Sequence, residues 1–281
     1  MKSIEFDVRD FDPVHTFECG QCFRWNRGED GSYTGIASGR VVRLVFEPRP
    51  GEPLNGTLRL ENAGEEDRAF WQDYFDLGTD YGAIKADLAA RDPHLAAAVA
   101  FGGGMRILRQ DPWETVVSFI LSANNNIPRI KKCVESLARH FGEPAGEFFG
   151  RACYSLPQPG VLAALSPEDL AVCRLGYRAA YLVGAARELE ARGIGELEAC
   201  LGDLPGVGPK VAGCILLFSK ARHRAFPIDV WVRKTMKNLY GFDEKDNAGM
   251  TAFALEHFGE RAGIAQQYLF YYMRSGGGPQ A

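Results

Sequence analysis

The spacing of hydrophobic positions along the chain changes once. Through about residue 62 they alternate with polar ones in short runs, SIEFDV, CFRWN, SYTGIA, RVVRLVFE and GTLRLEN, separated by the turn-forming stretches RGEDG, ASGR and RPGEPLNG. In the fourth run Val42, Leu44 and Phe46 oppose Val41, Arg43 and Val45, which suits a strand covered on at least one face. An antiparallel meander follows. After about residue 64 apolar residues recur every three or four positions, in EEDRAFWQDYFDL, YGAIKADLAARD, DPWETVVSFILSA, IPRIKKCVESLARHF, SPEDLAVC, AAYLVGAARELEARG, PKVAGCILLF, VWVRKTMKNLYG and AGIAQQYLFYYMR. Asp111 before Pro112 and Ser166 before Pro167 each set a capping side chain ahead of a proline at the first helical position. The expected fold is therefore α+β: an N-terminal antiparallel β domain with a packing helix over residues 1–80, then an all-α domain over 81–281.

Composition narrows the class. With 281 residues and 46% hydrophobic content the chain can bury a sizeable core in two or three packed units. It has no run of ~18 apolar residues, and the opening MKSIEFDVRDFD carries acids where a signal peptide needs an apolar stretch, so a cytoplasmic protein without a membrane partner is expected. Seven cysteines, an odd number scattered from Cys19 to Cys214, point to reduced thiols. Cys19 and Cys22 have C-x-x-C spacing, but no second pair or nearby histidine completes a tetrahedral metal site, and strand residues are the better reading. The clustered cysteines of an iron–sulfur centre are also missing. A net charge of −4 argues weakly against a nucleic-acid partner. The segment from Leu204 to Lys237 reverses that argument locally, because Lys210, Lys220, Arg222, Arg224, Arg233, Lys234 and Lys237 stand there against the single Asp229.

The same segment carries the chemistry. In LPGVGPKVAGCILLF, Gly206 and Gly208 let the backbone turn tightly, and the free amides where the next helix starts can bind an anion. With the short helix IGELEACLGD before it, this makes a helix, a glycine-rich hairpin and a helix, a grip suited to a phosphate backbone. Lys210 lies on the first turn of the second helix, where the dipole opposes a cation; it is either a solvated lysine or an amine made easier to deprotonate. Downstream, in AFPIDVWVRKTMK, Pro227 forces an extended approach and Asp229 stands where an N-cap would start the helix Val230 to Tyr240. Asp229 is either that cap alone or a catalytic carboxylate.

LPGVGPKVAGCILLF followed by AFPIDVWVRK closely resembles the lysine-containing helix-hairpin-helix (HhH-GPD) DNA glycosylases, with the hairpin and catalytic region at 195–240. GQCFRW at Gly20–Trp25, SFILSANNNIPRI at Ser118–Ile130, LGYRAAYL at Leu175–Leu182 and AQQYLF at Ala265–Phe270 resemble, in order, the remaining blocks of the 8-oxoguanine DNA glycosylase/lyase family. The resemblance implies that Lys210 attacks the sugar C1′ and that Asp229 stabilises positive charge developing on the sugar. It implies that Cys214 and Phe270 contact the two faces of an extruded base, that Gln266 bonds its pairing edge, and that the Gly20 carbonyl receives its N7–H. Asn124, Arg129, Tyr177 and Arg178 would fill the hole in the duplex and read the opposite cytosine, while Gly206, Gly208, Val211 and Trp231 would meet the DNA backbone. The carbonyls of Gly202, Leu204 and Val207 offer oxygens to a structural cation. No cofactor and no catalytic metal are implied, and the partner is duplex DNA with 8-oxoguanine opposite cytosine, bound by a monomer.

Plainer readings stand beside these. Phe270 and Cys214 suit core packing, Gly20 suits a strand bend, and the asparagines suit helix caps. Trp231 occupies a place where some family members have histidine, and Gly213 one where aspartate is common, which puts fine specificity in question. The rivals are a helix-hairpin-helix glycosylase for another lesion and a non-catalytic DNA-binding module. Lys210 together with Asp229 argues against the second, since grip alone needs neither.

Overall fold

The computed structural model describes residues 2–219 and 222–278. Lys220, counted above in the basic segment, lies outside them. Five strands, β1 (Ser3–Val8), β2 (Trp25–Arg27), β3 (Tyr33–Ala37), β4 (Arg40–Arg49) and β5 (Glu52–Glu61), form one antiparallel sheet in the order β1-β5-β4-β3-β2. Strands β2 to β5 are the expected meander, and β1 returns to pair with β5 from Ser3↔Glu61 to Val8↔Gly56.

The stretch from residue 9 to 24 departs from the sequence pattern. A short helix α1 (Pro13–Phe17) forms there because Asp12 accepts the His15 amide at 2.9 Å and Pro13 presets the first turn. The expected strand CFRWN shrinks to Trp25–Arg27, and Glu18–Arg24 is a loop. Cys19 and Cys22 are thus loop residues rather than strand residues. Along this loop Cys19 and Phe23 face the helical core, whereas Cys22 and Trp25 face the sheet core. Trp25 stacks on Phe17 at 4.3 Å and packs with Trp71 and Tyr74 of α2 (Arg68–Tyr74), to which it donates an indole N–H at 2.9 Å. Truncating so deeply buried an aromatic typically costs about 3–5 kcal/mol.

Beyond the sheet lie α3 (Tyr81–Arg91), α4 (Pro93–Phe101), α5 (Pro112–Ser122) and α6 (Ile127–Phe141). A hairpin of β6 (Pro144–Phe148) and β7 (Arg151–Tyr154) follows, invisible to the helical periodicity. Its Phe148 and Cys153 cover Val41 on the second face of β4. The chain continues as α7 (Pro159–Ala163), α8 (Arg178–Arg192), α9 (Leu197–Cys200), α10 (Pro209–Ser219), α11 (Val230–Tyr240), α12 (Asn247–His257) and α13 (Ala262–Arg274). The period-based reading leaves out α4, whose PHLAAAVAF is apolar on nearly every face, the short α7, and α12. SPEDLAVC makes only a single 3₁₀ turn, in which Ser166 Oγ and Asp169 Oδ2 bond at 2.8 Å.

Glu114 of α5 ties the two layers together by accepting the Ser38 amide of the β3–β4 turn at 3.1 Å. Burial pushes its carboxyl up to about 7, with Arg24 pulling the other way. A carboxyl raised in the folded state stabilises the fold fully below its ordinary value of 4.5, and that contribution fades as pH rises through the folded value. Wild-type stability should therefore fall between pH 5 and pH 8 by up to about 3 kcal/mol relative to Glu114→Gln. Denaturant melts of both proteins at the two pH values check this; parallel pH profiles would remove Glu114 as the titrating group.

Candidate active site

A cleft of about 740 Å3 opens where the 18–24 loop, the end of α5, the start of α10, the start of α11 and the face of α13 converge. The hairpin before α10 is shaped by Gly206, whose φ of +80° and packing against Tyr181 exclude a side chain: a Cβ there would lie 2.7 Å from the Tyr181 Cβ. The Val207 amide closes the turn onto the Leu204 carbonyl at 3.1 Å, so a cation held there would share that oxygen. The first bond of α10 runs from Ala212 to the Gly208 carbonyl at 2.9 Å. The amides of Gly208, Lys210 and Val211 consequently have no backbone acceptor among the described residues, and Gly208 borders open space. Three such donors at the positive end of a helix suit an anion.

Lys210 is half-buried in the cleft wall. Its Nζ donates to Ser122 Oγ at 3.4 Å and sits 5.4 Å from the centroid of Phe119. Ser122 can accept because its own proton goes to the Phe119 carbonyl at 2.7 Å. No carboxylate among the described residues lies within 4.0 Å of the amine. Asp229 lines the same cleft and is also the N-cap of α11, with Oδ1 accepting the Val232 amide at 2.8 Å. The two readings of Asp229 are thus compatible: one oxygen caps the helix, and Oδ2 carries no hydrogen bond among the described residues.

Cys214, one turn after Lys210, is 5% exposed and borders the cleft, as does Phe270. Burial pushes the Cys214 thiol up, an effect that Lys210 only partly offsets, so the thiol stays neutral. Gln266 is 4% exposed, lines the cleft, and its Oε1 has no hydrogen-bond partner among the described residues. A buried acceptor left open costs about 1–3 kcal/mol, so it asks for a donor from a ligand. Gly20 has φ +81° and lies against Phe270, where a Cβ would come within 3.5 Å of the ring; it belongs to the loop, so no strand bend explains it. The carbonyl before it, on Cys19, takes the Gln267 amide at 2.7 Å, and the one after it, on Gln21, takes the Gln110 amide at 2.8 Å. The Gly20 carbonyl accepts nothing among the described residues. Ser122, Gln267 and Arg274, all cleft-lining, escaped the sequence reading because no local pattern marks them.

The residues assigned to the opposite base are arranged less simply. Of the three consecutive asparagines, Asn126 caps α6 by accepting the Arg129 amide at 3.0 Å and Asn125 donates to the Leu121 carbonyl at 3.0 Å. Asn124, at φ +47°, is exposed and its side chain has no partner among the described residues. Arg129 is exposed on the first turn of α6, outside the cleft lining. Tyr177 is 52% exposed and projects beside Tyr181. Arg178 differs from expectation: it is only 4% exposed, and its guanidinium bonds the carbonyls of Ala123 at 2.8 Å and Asn124 at 2.7 Å. In this arrangement it anchors the asparagine loop instead of presenting donors to a base. The basic segment also narrows. Arg222, Arg224 and Lys237 pair with Glu198, Glu260 and Glu244, whereas Lys210, Arg233 and Lys234 form no ion pair among the described residues. Lys234 lies 5.1 Å over the ring of Trp231, which is 38% exposed at the cleft mouth.

Comparison with known proteins gives one answer along the chain. Residues 3–116 match the 8-oxoguanine DNA glycosylase N-terminal domain, and residues 117–261 match the HhH-GPD superfamily of base excision DNA repair proteins. The N-glycosylase/DNA lyase OGG1 of Arabidopsis thaliana is 32% identical over 91% of this chain and 75% of its own. Among solved structures, MBOgg1 in complex with a low-affinity DNA ligand superposes with a TM-score of 0.91 at 43% identity, over 99% of this chain and 97% of that one. The 8-oxoguanine glycosylase/lyase of Clostridium acetobutylicum, in complex with double-stranded DNA containing cytosine opposite 8-oxoguanine, superposes with a TM-score of 0.89 at 38% identity over 98% of both chains.

The anchoring role of Arg178 is testable apart from any ligand. Arg178→Met keeps the packing of the stem and removes the bonds to the loop, each worth about 1.5–3 kcal/mol when the donor is charged. Amide exchange at residues 123–126 should speed up by about tenfold or more while α8 exchanges as before. Unchanged exchange in the loop would show that other contacts hold it.

Proposed function

The chain belongs to the HhH-GPD base excision repair proteins that carry an 8-oxoguanine DNA glycosylase N-terminal domain, and from that premise we propose that it is a bifunctional glycosylase and abasic-site lyase acting on 8-oxoguanine in duplex DNA. The observation that carries the reading is the convergence in one cleft of a lysine free of carboxylates, a capping aspartate with one open oxygen, and two open acceptors at Gln266 and Gly20. A phosphate of the strand docks on the free amides of α10 and the damaged nucleotide swings into the cleft. Gln266 Oε1 accepts from the donor-bearing pairing edge of the guanine ring, and the Gly20 carbonyl accepts the N7–H that 8-oxoguanine has and guanine lacks.

Chemistry then follows from Lys210. Its neutral amine forms a bond to C1′ as the bond from C1′ to the base breaks, the electron pair leaving with the base, which takes up a proton. Asp229 offers its open oxygen to the positive charge that appears on the sugar. The sugar ring opens to an imine on Lys210, loss of a C2′ proton expels the 3′ phosphate, and water then frees the lysine. A non-catalytic grip would use the amides of α10 and leave this pair without a purpose.

The opposite strand is read by Asn124, Arg129, Tyr177 and Arg178, with cytosine as the preferred partner base; the neighbouring Clostridium structure, in its complex with cytosine opposite 8-oxoguanine, supports this. For Arg178 this requires its guanidinium to leave the loop carbonyls when DNA binds. The protein acts as a monomer in a reducing compartment such as the cytoplasm, a reading supported by seven buried cysteines, all of them free thiols.

Borohydride reduces the lysine imine to a stable amine, so mixing wild-type protein with an 8-oxoguanine:cytosine duplex and borohydride should give a covalent adduct. Lys210→Gln should bind the same duplex and form none. An adduct that persists in the variant would place the nucleophile elsewhere and refute the assignment.

A further inference from the structure

We propose that Arg274 is a positioning residue for base recognition, holding the Gly20 carbonyl and the Phe270 ring in register from behind; this rests on the function proposed above. Arg274 is the last residue of α13, where an arginine ordinarily reaches into solvent beside the free carbonyls of its own helix. Here the side chain turns back to the cleft. Its Nη2 donates to the Glu18 carbonyl, and its guanidinium carbon lies 5.3 Å from the Phe270 ring centroid. Its Nη1 is shut off from solvent with no partner, and a Cβ built on Gly20 would sit 3.3 Å from it. The side chain forms no ion pair among the described residues. The packing of Gly20 and Phe270 around the guanidinium and the bond to the Glu18 carbonyl hold it there.

Its place in the loop explains what it does. The carbonyls of Glu18, Cys19 and Gln21 are taken by Arg274, Gln267 and Gln110 respectively, and Gly20 alone keeps a free one. Two of these three donors come from α13, which also carries Gln266 and Phe270. Arg274 thereby couples the backbone acceptor to the ring and the amide that meet the base. With its Nη1 covered beside Gly20 and Phe270 and its Nη2 given to the Glu18 carbonyl, it acts through the loop and the ring. Nothing in this arrangement reaches Lys210, so the lyase step on a sugar that has already lost its base should not depend on Arg274.

That separation gives the test. Arg274→Leu keeps the stem and removes donor and charge; Arg274→Lys keeps the charge and one donor able to reach the Glu18 carbonyl. Each is assayed in single turnover, with enzyme in excess, on an 8-oxoguanine:cytosine duplex and on the same duplex carrying a preformed abasic site. Arg274→Leu should excise 8-oxoguanine at least about tenfold more slowly and cleave the abasic duplex within about twofold of wild type, and Arg274→Lys should recover most of the lost excision. Excision by Arg274→Leu at the wild-type rate would overturn the proposal, and so would a parallel loss of excision and abasic-site cleavage, which marks a merely structural arginine. Wild-type protein that cleaves the abasic duplex yet leaves 8-oxoguanine in place would overturn the substrate reading itself, and with it the purpose assigned to Arg274.

Discussion

The structure turns on the loop from Glu18 to Gln21, in which three of four consecutive backbone carbonyls are bonded by side chains and the fourth is not. The open carbonyl borders the cleft, where it is an acceptor available to a donor on a ligand. The loop can hold it open because it is fixed from both sides. Cys19 and Phe23 are packed into the helical core while Cys22 and Trp25 are packed into the sheet core, and Gln21 is fully buried with its amide on the carbonyls of Thr16 and Arg106. The N-terminal part is thus more than a companion to the helical part; its 18–24 loop supplies one wall of the site.

The opposite wall is built on two helix N-termini used for different purposes. At α10 the amides of Gly208, Lys210 and Val211, without backbone acceptors among the described residues, favour an anion. At α11 the first turn is capped by Asp229, so the helix itself fixes where the carboxylate stands relative to the amine. An overall acidic protein can bind a polyanion in this way because the cations that matter are local. Lys210, Arg233 and Lys234 are without carboxylate partners among the described residues, whereas Arg222, Arg224 and Lys237 are neutralised by neighbouring glutamates.

How much of this could be read from the sequence depends on the range of the interaction. Lys210 and Asp229 were legible because a glycine-rich turn, a helix start and a proline-preceded cap are local signals. The strands from Tyr33 to Glu61 are legible because alternate residues, among them Tyr33, Val42, Leu44, Leu58 and Leu60, are buried in the sheet core. Helix α4 was hidden by its uniform apolarity, and the β6–β7 hairpin by its short length within a helical region. Arg178 carries the sequence signature of an exposed helical arginine, and only the fold shows it buried against the Ala123 carbonyl. The partners of the 18–21 loop were out of reach altogether, since Gln267 and Cys19 are separated by 248 positions.

The central claim is that one free carbonyl, on Gly20, separates damaged from normal guanine through the proton on N7. A guanine carrying bromine at C8 has the added bulk of the lesion but keeps an unprotonated N7, so it would set a lone pair against that carbonyl. Excision of 8-bromoguanine and of 8-oxoguanine from otherwise identical duplexes, measured in single turnover, is the direct test. The account predicts negligible release of the brominated base under conditions that remove 8-oxoguanine fully. Comparable release of both would contradict it and show that the cleft senses bulk at C8.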